Sequence, residues 1–272
     1  MGDARAEPTR RFVGVDLAWG ERNATGLCAL TGDGGVLESW RTTGDDEICA
    51  WLGPHVAGDV LVGLDAPLIV DNLTGQRPCE RELAAVFAGR HAAAHPCNRA
   101  MPWFADGGRA HRLAGRLRLS LDPHLGPGKP ARTALEVYPH STIVALFGLP
   151  RSLKYKAKAR RTLPQRRGAF ARLIELLESL QTADPPLDLA SSPDWHRLRA
   201  EVTTAPTGAA LDRAEDEVDA YVCAYTALYY WRWGTGRCAV LGDDRRGAVV
   251  TPVDDAARHR LAAWRDRVAS VT

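Results

Sequence analysis

From Arg11 to Ala18 apolar and polar positions alternate and close on a carboxylate, in Phe12-Val13-Gly14-Val15-Asp16, which predicts a short strand. A second apolar run covers Ala24 to Thr31, and Gly32-Asp33-Gly34-Gly35 after it is a hairpin signal. Val36 to Thr42 makes a third strand, so the chain is expected to open on an antiparallel meander. Ile48, Trp51 and Leu52 recur at helical spacing and predict a helix from about Asp45 to Val56, which Gly53-Pro54 shortens. The segment Asp59-Val60-Leu61-Val62-Gly63-Leu64-Asp65 is almost continuously apolar, as expected of a strand covered on both faces.

Beyond Asn72 the pattern dissolves into Arg, His, Gly, Pro and Trp, with one helix expected around Glu80 to Ala88. Regular patterning resumes with a fifth strand, Ala134 to Tyr138, and a short helix through Phe147. A helix from about Gln165 to Leu180, a Pro-, Asp- and Ser-rich stretch, and a long helix from about Ala214 to Trp233 follow. Two short strands (Cys238 to Leu241, Ala248 to Thr251) and a terminal helix complete the chain. A meander followed by β-α-β crossovers is the order of the RNase H-like fold, and it also underlies actin-like ATPases and sugar kinases. The expected class is therefore α/β: an RNase H-like mixed five-stranded sheet flanked by helices, with a helical and loop insertion after the fourth strand. The domain is expected over about 11–252, with an insertion or cap at about 72–132 and a linker or small insertion at about 182–206. A C-terminal helix is expected over 253–272 and a disordered tail ahead of the first strand.

Composition adds little to this picture. At 272 residues, with 45% hydrophobic and 25% charged positions, the chain can bury a sizeable core. Its six cysteines are widely spaced, several within apolar runs, which predicts reduced thiols rather than a disulfide framework or a zinc ribbon. Met1 to Arg11 is polar with no apolar segment behind it, and no run approaches the ~20 residues that span a bilayer. A cytoplasmic protein that does not act at a membrane is expected.

The chemistry is expected from carboxylates. Asp16 and Asp65 each end an apolar strand, and the carboxyl ends of strands in an α/β sheet are where ligands collect. An acid placed there is costly unless something neutralises it, although a turn cap or an arginine partner would serve. In Asp212-Arg213-Ala214-Glu215-Asp216-Glu217-Val218-Asp219, Asp216 and Asp219 are three apart and share one helix face, beside small and apolar residues. Asp212 and Glu215 fit a capping pattern instead. All-oxygen ligation selects Mg²⁺ or Mn²⁺, and a pair of such ions suits phosphodiester cleavage. Asp16 would bridge two ions, Asp65 and Asp219 would each hold one, and Asp216 would complete the second site or position water. Glu136 is a further catalytic candidate, although its alternation with Leu135 and Val137 would equally let it face solvent.

These stretches resemble family 429 of the domains of unknown function, described as predicted RNase H-like nucleases. The resemblance is carried by Gly14-Val15-Asp16-Leu17-Ala18-Trp19, Gly63-Leu64-Asp65-Ala66-Pro67-Leu68, Arg77-Pro78-Cys79-Glu80-Arg81 and Ala94-His95-Pro96-Cys97-Asn98-Arg99. Glu136-Val137-Tyr138-Pro139-His140, Leu153-Lys154-Tyr155-Lys156 and Glu215-Asp216-Glu217-Val218-Asp219-Ala220 extend it across most of the chain. Asp216-x-x-Asp219-Ala220 also looks like the closing helix of the Holliday-junction resolvase branch of that superfamily. The resemblance implies a metal-dependent nuclease.

Nucleic acid, DNA or RNA, is the expected partner. Arg151 to Arg172 holds nine Arg and Lys residues without an acid, a pattern that suits a phosphate track as well as a solvated face, and Tyr155 within it could stack on a base. Arg77, Arg81, Arg99, Lys154 and Lys156 are candidate phosphate contacts. His95 and Asn98 are expected to shape a substrate pocket, and His140 to act as a general acid or a helix cap. His91 and His95 lack the Glu of a metalloprotease signature, so no zinc site is expected there. Pro67 after the fourth strand and the lack of a Walker-type loop argue against an ATPase. A non-catalytic nucleic-acid-binding protein, or a hydrolase or phosphotransferase of a small phosphate ester, remains open on the sequence.

Overall fold

A computed structural model describes residues 10–270; the expected tail lies outside the described residues. The sheet has seven strands rather than five, in the order β3-β2-β1-β4-β5-β7-β6. Strands β1 (Arg11–Asp16), β2 (Thr25–Thr31) and β3 (Val36–Thr42) form the antiparallel meander. Strands β4 (Val60–Leu64) and β5 (Arg132–Val137) extend it in parallel from β1. The two last strands, β6 (Cys238–Asp243) and β7 (Gly247–Pro252), form a hairpin whose β7 pairs in parallel with β5, which accounts for the difference from five.

Among the described residues eight α-helices cover the sheet: α1 (Asp45–Leu52), α2 (Pro78–Phe87), α3 (Arg109–Arg116), α4 (Pro139–Leu146), α5 (Leu163–Glu178), α6 (Pro193–Thr204), α7 (Gly208–Trp233) and α8 (Asp255–Ala269). Because side chains alternate along a strand, odd and even positions serve different cores. Phe12 and Leu61 face a core shared with α4 to α7, whereas Val13, Val15, Val60 and Val62 face one shared with α1 and α3. The segment expected as a linker or small insertion carries α6, whose Trp195 and Leu198 are buried in the first of these cores. Within the region expected as an insertion, α2 packs on β6, β7 and α8.

Helix α7 lies across β2, β1 and β4. Its backbone approaches three glycines on adjacent strands: a Cβ on Gly26 would stand 1.9 Å from Asp216 O, one on Gly14 1.9 Å from Ala220 O, and one on Gly63 2.4 Å from Cys223 O. Gly14 and Gly63 are register partners, and Gly26 is paired with Asp16. The strands therefore form a smooth groove into which the helix backbone sinks. Two residues beyond Gly14 and Gly63 on the same face come Asp16 and Asp65, so the fit of α7 sets how close its own aspartates come to them.

Gly14→Ala should lift α7 from the groove and destabilise the chain by about 3 kcal/mol, the upper range for overpacking. Urea unfolding measures this, and a loss below about 1 kcal/mol would show that the close approach is not needed.

Candidate metal centre and its cleft

Asp16, Asp65 and Asp219 each offer a carboxylate oxygen, and these three atoms lie within 4.8 Å of one another. They come from the end of β1, the residue after β4 and the second turn-pair of α7, and the backbone ties the first two together, Asp65 N–H donating to Val15 O at 2.9 Å. Asp219 is fully buried and Asp16 is 9% exposed. Tyr155 donates its hydroxyl to Asp219 Oδ1 at 2.8 Å, and Lys156 Nζ stands 2.5 Å from Asp219 Oδ2. Asp16 Oδ2 is buried with no hydrogen-bond donor among the described residues. Asp216 lies one turn before Asp219 on the same helix, half-buried and outside the group of three.

The crowding shows in the protonation of the acids. Burial, against the opposing pull of Lys156 and with the push of Asp65, Asp219 and Asp216, holds the Asp16 carboxyl well above its usual range. Burial and neighbouring carboxylates raise Asp65 to about 7 despite Lys156. Asp216 is likewise raised to about 7, by burial and then by Asp219. Burial acts to lower the Lys156 ammonium, but Asp219, Asp16 and Asp65 outweigh it and keep the group charged. One lysine thus stands against several buried acids, an arrangement that more positive charge would relieve.

A cleft of about 320 Å³ opens beside this cluster, lined by Asp16, Trp19, Asp65, His95, Tyr138, His140 and Lys156 among others. Glu136 reaches its wall, but as the register partner of Leu64 it belongs to the opposite face from Asp16 and Asp65. It is neither a free ligand nor a solvent-facing residue. Arg77 Nη2 donates to Glu136 Oε1 at 2.6 Å and Arg77 Nη1 to Glu136 Oε2 at 2.9 Å, while Leu68 N–H donates to Oε2 at 2.9 Å. Arg77 itself, expected to bind phosphate, is 1% exposed and also donates to Glu80 and to Ile69 O. Glu136 and Arg77 brace the floor of the cleft.

The other residues singled out from the sequence divide in two. His95, His140 and Lys156 line the cleft, and Lys154 stands at a smaller neighbouring cavity. Arg81 and Arg99 are exposed and donate to Gln76 O and Ala105 O, and Asn98 donates to Gly75 O, all away from the carboxylates. His140 is pushed down to about 3, first by burial and then by Lys156, Lys158 and Arg161, which leaves its ring uncharged at neutral pH. Helix α7 begins at Gly208 with Thr207 capping Ala210 N–H, so Asp212 is not its cap; Asp212 accepts from Arg166 at 2.6 Å. Arg166 and Tyr155, expected in an exposed phosphate track, are buried, and Arg166 Nε holds Tyr155 O at 2.8 Å. Tyr138, which lines the cleft, and Glu215, raised to about 7 by burial, were not singled out as site residues. Tyr138 follows a strand end and could have been marked for that reason, whereas burial of Glu215 depends on Arg166 and Lys156 packing over α7.

A family model described as "Protein of unknown function (DUF429)" matches residues 14–246, and the chain belongs to that family. Neither a curated protein nor a solved structure matches it. Among the described residues no helix is long and apolar enough to cross a membrane, and Cys28, Cys49, Cys79, Cys97, Cys223 and Cys238 are free thiols.

The raised acids make stability depend on pH. Asp65 at about 7 in the folded chain, against roughly 3.9 when unfolded, means the folded state binds its proton more tightly. This contribution to stability is largest below the unfolded value and is lost as pH rises through about 7. In metal-free buffer, Asp65→Asn should therefore raise the Tm, relative to the unsubstituted chain, more at pH 8 than at pH 5. An equal shift at both would mean that Asp65 ionises without penalty.

Proposed function

We propose that this member of the DUF429 family hydrolyses phosphodiesters of nucleic acid with divalent cations held by Asp16, Asp65 and Asp219, on an RNase H-like core. The observation that carries the reading is the convergence of these three carboxylates from three separate elements beside a cleft. The antiparallel β1–β2–β3 meander continued by parallel β4 and β5 supports the fold assignment, with the β6–β7 hairpin as an addition at the edge.

The donor set fits a hard cation. It offers only carboxylate oxygens, one of which, Asp16 Oδ2, is buried without a donor. Magnesium or manganese, when bound, supplies polarisation of the phosphoryl group and stabilisation of charge on the leaving oxygen. The chain's own groups do the rest. Tyr155 fixes the orientation of Asp219 through its 2.8 Å hydrogen bond. Asp216, raised to about 7 one helical turn before Asp219, suits accepting a proton from an attacking water. Lys156 supplies positive charge at the cleft wall, where a phosphate oxygen would lie. In the reaction a water oxygen forms a bond to phosphorus, the P–O bond to the departing nucleoside breaks, and a phosphomonoester and a hydroxyl result.

Incubation with single-stranded, duplex and branched DNA and RNA in Mg²⁺ or Mn²⁺ tests the reading. Cleavage should fall by ~10²–10³-fold in Asp16→Asn and in Asp219→Asn, the usual loss when a group stabilising the transition state is removed. Cleavage unchanged in both variants would overturn it. Salt-dependent binding without cleavage would favour a binding protein, and activity on mononucleotide esters alone a small-ester hydrolase.

A further inference from the structure

Beside the carboxylate cleft lies a second cavity, of about 160 Å³, which shares His95, Tyr138, His140 and Lys158 with it. Its wall also brings in Arg151, Lys154 and Arg161, and among the described residues no carboxylate lines it. A strap from Arg151 to Arg161 is held over the cavity by the backbone. Ser152 N–H donates to Arg90 O and Ser152 Oγ to His91 O, each at 2.8 Å, and Arg161 Nη1 donates to Lys156 O at 2.8 Å.

Several arginines outside this wall have an acid to face, as Arg90 has Asp254 and Arg109 has Asp45. Among the described residues Arg151, Lys154, Lys158 and Arg161 form no ion pair. His140 adds a buried Nδ1 with no hydrogen-bond partner among the described residues. Four unpaired cations converging on one small concavity repel one another unless an anion joins them. The demand is for a compact group with several acceptor oxygens and more than one negative charge, which describes a phosphomonoester better than a diester. A diester inside a polymer carries one charge and needs an exit for the strand on both sides.

We propose that this cavity receives the terminal phosphate of the substrate, so that the scissile diester at the carboxylates is the one next to a phosphorylated chain end. The inference deepens the phosphodiesterase reading and rests on it for the identity of the neighbouring site. The charges are arranged in sequence along the cleft: cations at the strap for the end group, acids at the strand ends for the reacting phosphorus. The chemistry favours short or end-phosphorylated nucleic acid over the interior of a duplex.

Binding without turnover tests the cavity separately from catalysis. Calorimetry on the full chain in EDTA would compare dithymidylate carrying a 5′-phosphate, a 3′-phosphate or hydroxyls at both ends, with inorganic phosphate as a further probe. One phosphorylated form should bind about tenfold tighter than the hydroxyl form, as one or two charge-assisted hydrogen bonds would give. Arg151→Ala combined with Lys154→Ala, both exposed positions, should remove that preference while circular dichroism remains unchanged. Equal affinity for all three dinucleotides, or a preference that survives the double substitution, would overturn the proposal. So would binding of inorganic phosphate with no gain for either phosphorylated dinucleotide, which would make the cavity a free-phosphate site. A preference that appears in a protein unable to cleave any substrate would leave the cavity standing and remove the nuclease reading instead.

Discussion

The site depends on one packing contact, the seating of α7 in a groove of glycines. Any side chain at Gly14, Gly26 or Gly63 would collide with the helix backbone, so the sheet and the helix are nearer than side chains ordinarily permit. Strand alternation then carries Asp16 and Asp65 onto the same face as that groove, and the helical repeat turns Asp219 toward them. Carboxylates that chain order separates by some 200 positions meet within 4.8 Å as a consequence of backbone contact rather than of attraction. Their burial and, after it, their mutual repulsion work against the fold and raise Asp65 and Asp216 to about 7. Lys156 and the Tyr155 hydroxyl offset part of this cost.

Around that contact the molecule separates its charges by role. Arginines that look equivalent in sequence are consumed internally: Arg77 braces Glu136 and Glu80, Arg109 ties Asp45 to Ala18 O, and Arg166 locks the strap to α7 through Asp212. Glu217 on α7 is similarly committed, to Arg41, Arg197 and Ser39. The two neighbouring cavities are faced by acids at the strand ends and by cations at the strap. On the proposed function this division is what a phosphate-handling enzyme needs, opposite charges adjacent and joined where Lys156 meets Asp219.

Much of this was legible from periodicity. The strands β1 to β5 and the helices α4, α5 and α7 follow from apolar spacing, and Asp16 and Asp65 stand out because a carboxylate closes each apolar run. Where reading failed, the missing information was long-range. The β6 and β7 strands were visible, but whether β7 joins β5 is decided by pairing between Glu136 and Val249, more than a hundred residues apart. Helix α6 was hidden by the Pro- and Ser-rich stretch ahead of it, and its helical register shows only once Trp195 and Leu198 find a core to fill. Alternation placed Glu136 on one side of β5 without revealing that the site lies on the other, or that Arg77 waits there. Burial of Arg77, Arg166 and Tyr155 has no local signature, since each is decided by a partner on another element.

The central claim is that α7 and the strand ends build a cation site, and locating a cation tests it most directly. Crystals grown in Mn²⁺ and measured for anomalous scattering should place manganese among Asp16, Asp65 and Asp219, at about 2.1 Å from their oxygens as hard-cation ligation requires, with the Lys156 ammonium moved off Asp219. Saturating Mn²⁺ that leaves no anomalous peak there, with Lys156 still against Asp219, would contradict the account.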